Sequence, residues 1–236
     1  MNSAASSRDA VPVIAIDGPS ASGKGTVAAR VAQALGFHYL DSGALYRLAT
    51  LAALRAAADL DDEMALAKVA RGMDVQFRGD AILLDGSDVT EALRTEEVSS
   101  AASRVAAKPA VRSALLDRQR GLRRSPGLVA DGRDMGSVVF PDAPLKVFLT
   151  AGVATRAERR HKQLMEKGMY AKMADVVEEL ELRDERDTSR PVAPLRHYPD
   201  ALFLDTTGLS VDEAVAKVLG WWRERASAAA RPANGA

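Results

Sequence analysis

The densest chemical signal in the chain is Gly18-Pro19-Ser20-Ala21-Ser22-Gly23-Lys24-Gly25-Thr26. It fits GxxxxGK, the P-loop pattern, in which successive backbone N–H groups turn into a concavity that holds a phosphate. Glycines permit the turn, the next helix N-terminus adds partial positive charge, and the lysine is a mobile cation for β- and γ-phosphates. The context agrees. The apolar, β-branched run Val11–Ile16 precedes the loop and reads as a buried parallel strand. Lys24–Leu35 follows, with Val27, Val31 and Leu35 four apart on one helix face and Gly36 as its stop. The departure is Gly25, which stands where the strict pattern has Ser or Thr; Thr26 comes one place later. A GTPase-type loop is therefore not met. A Gly/Ser-rich surface turn is the competing reading.

Three further clusters could bind anions. Asp41-Ser42-Gly43 is followed by Tyr46 and Arg47 about one helix turn on, so these side chains can converge. Capping by Asp41 or Ser42, with Tyr46 in the core, is the alternative. Arg133 and Asp134 follow the apolar run Leu128–Ala130, where open parallel sheets bind ligands; a charged turn is the alternative. Asp131 has the place of a Walker B acid that orients Mg²⁺ through water. Arg183, Asp187 and Arg190 fall at i, i+4 and i+7, with Arg186 one turn from both arginines. Pro191 disfavours helical geometry at Arg190 and predicts a helix end there. Glu178, Glu179 and Glu181 nearby keep a solvated salt-bridged face in play. Arg156, Arg159 and Arg160 open another charged helix.

These groups need a scaffold. Strand character recurs at Leu128–Ala130, Leu145–Leu149 and Ala201–Leu204; helical patterns fall at 154–166, 174–188 and 211–226. Strands alternating with helices predict an α/β fold, a parallel sheet covered on both faces. Residues 42–113 interrupt that alternation and read as an inserted subdomain. It holds helices at 44–58, 62–71, 95–107 and 110–124 (the last running past its end) and a small hairpin-like sheet within 73–89, with Gly79-Asp80 as a turn. The expected plan is a polar leader (1–10), one domain (11–226, core 11–41 and 125–226) and a fraying Ala-rich tail (227–236).

Taken together, GKGT in the loop, Asp41-Ser-Gly-Ala-Leu-Tyr-Arg47, Ala130-Asp-Gly-Arg-Asp-Met-Gly136 and Arg183-Asp-Glu-Arg-Asp-Thr-Ser-Arg190 resemble the signatures of the bacterial cytidylate kinase family, from about Val11 to Ala226. The resemblance implies a P-loop three-layer kinase fold with a nucleoside-monophosphate-binding insert and a short helical lid at about 154–190. It implies transfer of the ATP γ-phosphoryl group to CMP or dCMP, with Mg²⁺. It gives Ser42, Arg47 and Arg133 the acceptor phosphate, Tyr46 the nucleoside and Asp134 a ribose hydroxyl. Ser103, Arg112 and Asp187 would read cytosine, Arg183 and Arg190 would clamp phosphates, and Arg156 and Arg160 would belong to a lid over ATP. Such chemistry suits this composition. A phosphate acceptor is already ionised, so no general base is required, and the work is alignment and charge neutralisation.

Composition excludes other classes. The 236 residues contain no cysteine and three scattered histidines (His38, His161, His197), which rules out disulfides and thiolate zinc sites. Thirty-two basic residues balance 32 acidic ones, and no aromatics interleave the basic clusters, so nucleic-acid binding is not expected. No stretch approaches 18 apolar residues, and residues 1–10 carry no apolar segment, so neither a membrane span nor a secretory signal is expected and the cytoplasm is. Nothing demands more than a monomer. The alternatives kept are a related kinase acting on UMP, AMP or shikimate, and a nucleotide-gated binding module.

Overall fold

A computed structural model describes residues 11–78 and 81–229. The leader, the Gly79-Asp80 turn and the tail beyond 229 lie outside the described residues. A five-stranded parallel sheet forms the centre, built from β1 (Val13–Asp17), β2 (His38–Asp41), β6 (Leu128–Gly132), β7 (Leu145–Thr150) and β8 (Leu202–Asp205), in the order β2-β6-β1-β7-β8. β1 is the central strand, and all five of its residues are buried. Its pairing begins at Val13 rather than Val11, because Pro12 has no N–H for a ladder and contributes only its carbonyl, to Leu128 N.

β2 has no counterpart in the sequence reading. Only Leu40 of its four residues is buried, so the apolar alternation that marks a strand is nearly missing. It is an edge strand, paired to β6 alone.

α1 (Lys24–Leu35) and α8 (Val211–Ala229) cover one sheet face, where Val27, Val31, Val215 and Val218 pack on Ile14, Ile16 and Val147. α8 runs three residues beyond the predicted 226, since Ser-Ala-Ala continues a helix well. Between β2 and β6 the chain inserts α2 (Ser42–Arg55), α3 (Glu63–Gly72), α4 (Glu96–Val105), α5 (Pro109–Gly121) and an antiparallel sheet of β3 (Val75–Arg78), β4 (Ala81–Leu84) and β5 (Ser87–Asp88). The sheet has three strands rather than a hairpin. Asp85 (φ 50°) and Gly86 (φ 78°) make a two-residue turn that sends the chain back.

The opposite face, through Val13, Ala15, Leu40 and Ala130, packs against α2 and α5, while α6 (Val153–Glu166) and α7 (Met173–Ser189) pack on each other in a separate small cluster of Ala157, Leu164, Val176 and Leu180. α7 stops at Ser189 and Arg190 is extended (ψ 141°), as Pro191 requires. After β6 the chain makes a π-turn, Met135–Val139, foreshadowed by no pattern. Asp17, at the end of β1, holds it by accepting Met135 N at 2.7 Å and Gly136 N at 2.8 Å.

The phosphate loop leaves β1 against β7 so closely that a Cβ on Gly18 would lie 1.9 Å from the Leu149 carbonyl oxygen. Backbone on both sides leaves no flexible atom to yield. Gly18→Ala is expected to destabilise the fold by about 3 kcal/mol. Denaturant unfolding checks this, and a loss well under 1 kcal/mol would show that the loop is not anchored there.

Candidate functional site

The carboxyl ends of β1, β2 and β6 open into a cavity of about 240 Å³. Ser20, Ala21 and Lys24 of the loop form one wall. Ala21 (φ 56°) and Gly23 (φ 90°) are both left-handed, and that reversal turns the loop around a concavity. Lys24 Nζ donates to the Pro19 carbonyl at 3.3 Å. Desolvation, and then the Arg133 charge, bring the Lys24 amine down to about pKa 7, against the pull of Asp131.

Asp131 faces Lys24 from the end of β6. Burial, then the Asp41 charge, push it up to about 6. Tyr39, from β2, donates its hydroxyl to Asp131 Oδ1 at 2.9 Å. The Tyr39 hydroxyl stays protonated, its pKa raised first by burial and then by Asp131. Asp41 caps α2, accepting Ala44 N at 3.1 Å, and binds Arg47 at 2.6 Å. Burial alone would raise the Asp41 carboxyl, but Arg47 and the cap hold it below the usual range. Ser42 and Tyr46, both buried on α2, and Arg47 complete that wall.

Arginines supply the rest. Arg133 donates to Asp187 at 2.6 Å, to Ser20 Oγ at 2.9 Å and to its neighbour's carbonyl, Gly132 O, at 3.2 Å. Arg112 pairs with Asp134, donates to Ala106 O at 3.1 Å and lies 5.6 Å over the Tyr46 ring. Arg190 comes within 3.9 Å of Asp134, but its buried NH2 has no hydrogen-bond partner among the described residues. Arg183 Nε is likewise buried without a partner; burial and then Arg133 bring its pKa down to about 10. Arg160 lines the cavity and pairs with Glu96. Ser103 lines it and accepts from Arg186 at 2.6 Å. In all, seven cationic side chains line the cavity against five carboxylates.

The structure thus gathers Ser20, Ala21, Lys24, Ser42, Tyr46, Arg47, Ser103, Arg112, Asp131, Arg133, Asp134, Arg160, Arg183, Asp187 and Arg190 around one space. Gly18, Pro19, Ser22, Gly23, Gly25 and Thr26 shape the loop without lining that space, and neither does Arg156. Arg156 is buried behind the loop, donating to Ser20 O at 3.2 Å, to Ala151 O at 3.0 Å and to Asp184 at 2.6 Å. Arg159 braces the loop in the same way, through Ser22 O at 3.0 Å. The three histidines each bond a backbone carbonyl away from the cavity. Sequence reasoning missed Tyr39, Glu179 and Gln163, and took Asp41 only as a cap. The Glu179 carboxyl is pushed up by burial and by Glu96 beside it.

Among the described residues no cluster of three or more His, Cys, Asp or Glu could cage a metal. Asp131, with Asp41 close by, is a donor set that fits Mg²⁺, which keeps most of its waters and takes one or two carboxylates plus substrate phosphates.

A family model and similar proteins of known name agree on one family. The family model described as "Cytidylate kinase" matches residues 14–224. The chain is 59% identical to the cytidylate kinase of Chromobacterium violaceum over 91% of this chain and 97% of that one. It is 57% identical to that of Nitrosomonas europaea (91% and 96%) and 57% identical to that of Cupriavidus necator (94% and 98%). A crystal structure of an uncharacterized protein from Eubacterium ventriosum is similar in fold alone, with a TM-score of 0.53 and 13% identity over 91% of this chain and 99% of that one.

The depressed Lys24 pKa has a measurable consequence. At pH 8 the free amine is mostly neutral, and a polyphosphate beside it restores the charged form. Binding a nucleoside triphosphate at pH 8 is expected to take up about one proton. Calorimetry in buffers of different ionisation enthalpy reads this directly. No uptake in the wild type, or the same uptake in Lys24→Met, would contradict the assignment.

Proposed function

The chain belongs to the cytidylate kinase family, and on that premise we infer that its reaction is transfer of the ATP γ-phosphoryl group to CMP or dCMP, giving CDP or dCDP and ADP. The observation that carries the reading is the excess of cations over carboxylates in one small cavity, with the P-loop lysine on one wall. Two polyanions meeting end to end need such a place. A base is not needed, and no histidine lines the cavity.

In this reading Lys24 and the loop take the donor's β- and γ-phosphates. Arg133, Arg183 and Arg190 neutralise the charge between donor and acceptor. Ser42 and Arg47 hold the acceptor's phosphate, Tyr46 borders its nucleoside, and Asp134 takes a ribose hydroxyl. Asp131 would hold Mg²⁺ through water, and the ion would supply positive charge to offset that of the donor's phosphates. Ser103, Arg112 and Asp187 read cytosine, because its N4 amino group needs an acceptor, and N3 and O2 need donors. Arg160 belongs to a lid at 154–190 that closes with the insert and excludes water as a competing acceptor. Arg156 supports the donor site from behind, through the Ser20 carbonyl.

One contact links recognition to chemistry. Asp187, proposed for the base, also holds Arg133, proposed for the phosphates, at 2.6 Å. A base that engages Asp187 would therefore also bear on Arg133. The test is ADP release from Mg·ATP with CMP, dCMP, UMP, AMP, GMP and shikimate offered in turn. Turnover is expected with CMP and dCMP and much less with the rest. In Asp187→Ala the preference for CMP over UMP is expected to fall by roughly 100-fold while the KM for ATP moves little. Best turnover with another acceptor would void the base-reading roles. Equal loss of CMP and ATP affinity would void the role of Asp187.

A further inference from the structure

The glycine after the loop lysine is the one departure from the strict P-loop pattern, and the structure shows what surrounds it. A Cβ on Gly25 would lie 3.4 Å from the Tyr39 hydroxyl and 3.5 Å from Asp131 Oδ2, the two atoms that border it from outside its own helix among the described residues. The space that a Ser or Thr side chain would enter is thus bordered by two polar groups. Those two groups are hydrogen-bonded to each other, Tyr39 Oη to Asp131 Oδ1 at 2.9 Å.

Strand register explains how Tyr39 reaches this place. In the parallel pair, Tyr39 is level with Val129 and Asp41 with Asp131. Residues 39 and 41 share a sheet face with 129 and 131, so Tyr39 is the diagonal neighbour of Asp131. Only a long side chain with a polar tip spans that diagonal. Tyr39 leaves 41% of its surface exposed, yet its hydroxyl turns inward to the carboxylate rather than outward to water. A tyrosine serving only to cover the sheet edge has no need of that geometry.

We propose that Tyr39 is a positioning residue whose hydroxyl takes the place of the missing P-loop hydroxyl and fixes Asp131 in the rotamer that orients the metal's water. Gly25 is then the residue that makes room for it. The proposal rests on the reading of Asp131 given above. Tyr39 occupies one oxygen of Asp131, leaving Oδ2 toward the loop. Without the hydroxyl, the carboxylate is free to turn.

The experiment is calorimetric binding of ADP, which is not turned over alone, with and without Mg²⁺. The factor by which Mg²⁺ tightens ADP binding is compared among the wild type, Tyr39→Phe, Gly25→Ser, the double variant and Asp131→Asn. Tyr39→Phe is expected to shrink that factor about fivefold, with metal-free ADP binding within about twofold of wild type. Gly25→Ser crowds Tyr39 in the wild type, but in the Tyr39→Phe background its new hydroxyl is expected to recover at least half of the loss. Melting curves of each variant confirm folding. An unchanged Mg²⁺ factor in Tyr39→Phe overturns the proposal. So does equal weakening with and without metal, or a Gly25→Ser cost that is the same in both backgrounds. Should Asp131→Asn keep the full Mg²⁺ factor, the reading of Asp131 itself fails, which separates that failure from one confined to Tyr39.

Discussion

Cations crowd this molecule's central cavity beyond what its own carboxylates can neutralise. Arg183 and Arg190 each keep a buried guanidinium nitrogen with no hydrogen-bond partner among the described residues, and Lys24 and Arg183 are both pressed toward their neutral forms. Burying charge this way opposes folding, and three of the five lining carboxylates hold a cation in place: Asp187 on Arg133, Asp134 on Arg112, Asp41 on Arg47. The remaining positive charge is an interaction reserved for an anion. Donors already aimed at developing charge cost no reorganisation when the reaction occurs.

The scaffold serves this crowding. The parallel sheet brings Asp17, Asp41 and Asp131 to the ends of β1, β2 and β6, side by side. Asp17 faces away from the cavity and holds the π-turn that follows Arg133 and Asp134. Arg156 and Arg159 lock the phosphate loop from behind through the Ser20 and Ser22 carbonyls. On the far side, Glu96 reaches Arg160 and Ser103 meets Arg186, so the insert touches α6 and α7 by polar contacts. Polar contacts between elements separate at less cost than apolar packing, which suits parts that must open for substrates.

The strand–loop–helix entry, the insert and the arginine clusters were legible because each has a local pattern: an apolar run, a glycine-spaced loop, a fixed helical interval. β2 was not, since an edge strand with one buried residue shows almost no alternation. The π-turn was not, since it depends on Asp17, about 118 residues away in sequence. Tyr39 was missed for a similar reason. Its partner lies on another strand, and only register brings the two together. Arg156 shows the converse. Its spacing placed it with the lid arginines, but a spacing on one helix does not say which arginine faces the cavity and which faces the back of the loop.

Replacing Arg183 by methionine keeps the aliphatic stem and removes the stranded charge. Melting of the ligand-free Arg183→Met protein at low salt, set beside its turnover with CMP and Mg·ATP, tests directly whether the site stores unneutralised charge for its substrates. The account predicts a protein that melts a few degrees higher than wild type, on the order of 1 kcal/mol, and turns over at least about 100-fold more slowly. A variant that melts lower than wild type while keeping its turnover would contradict it.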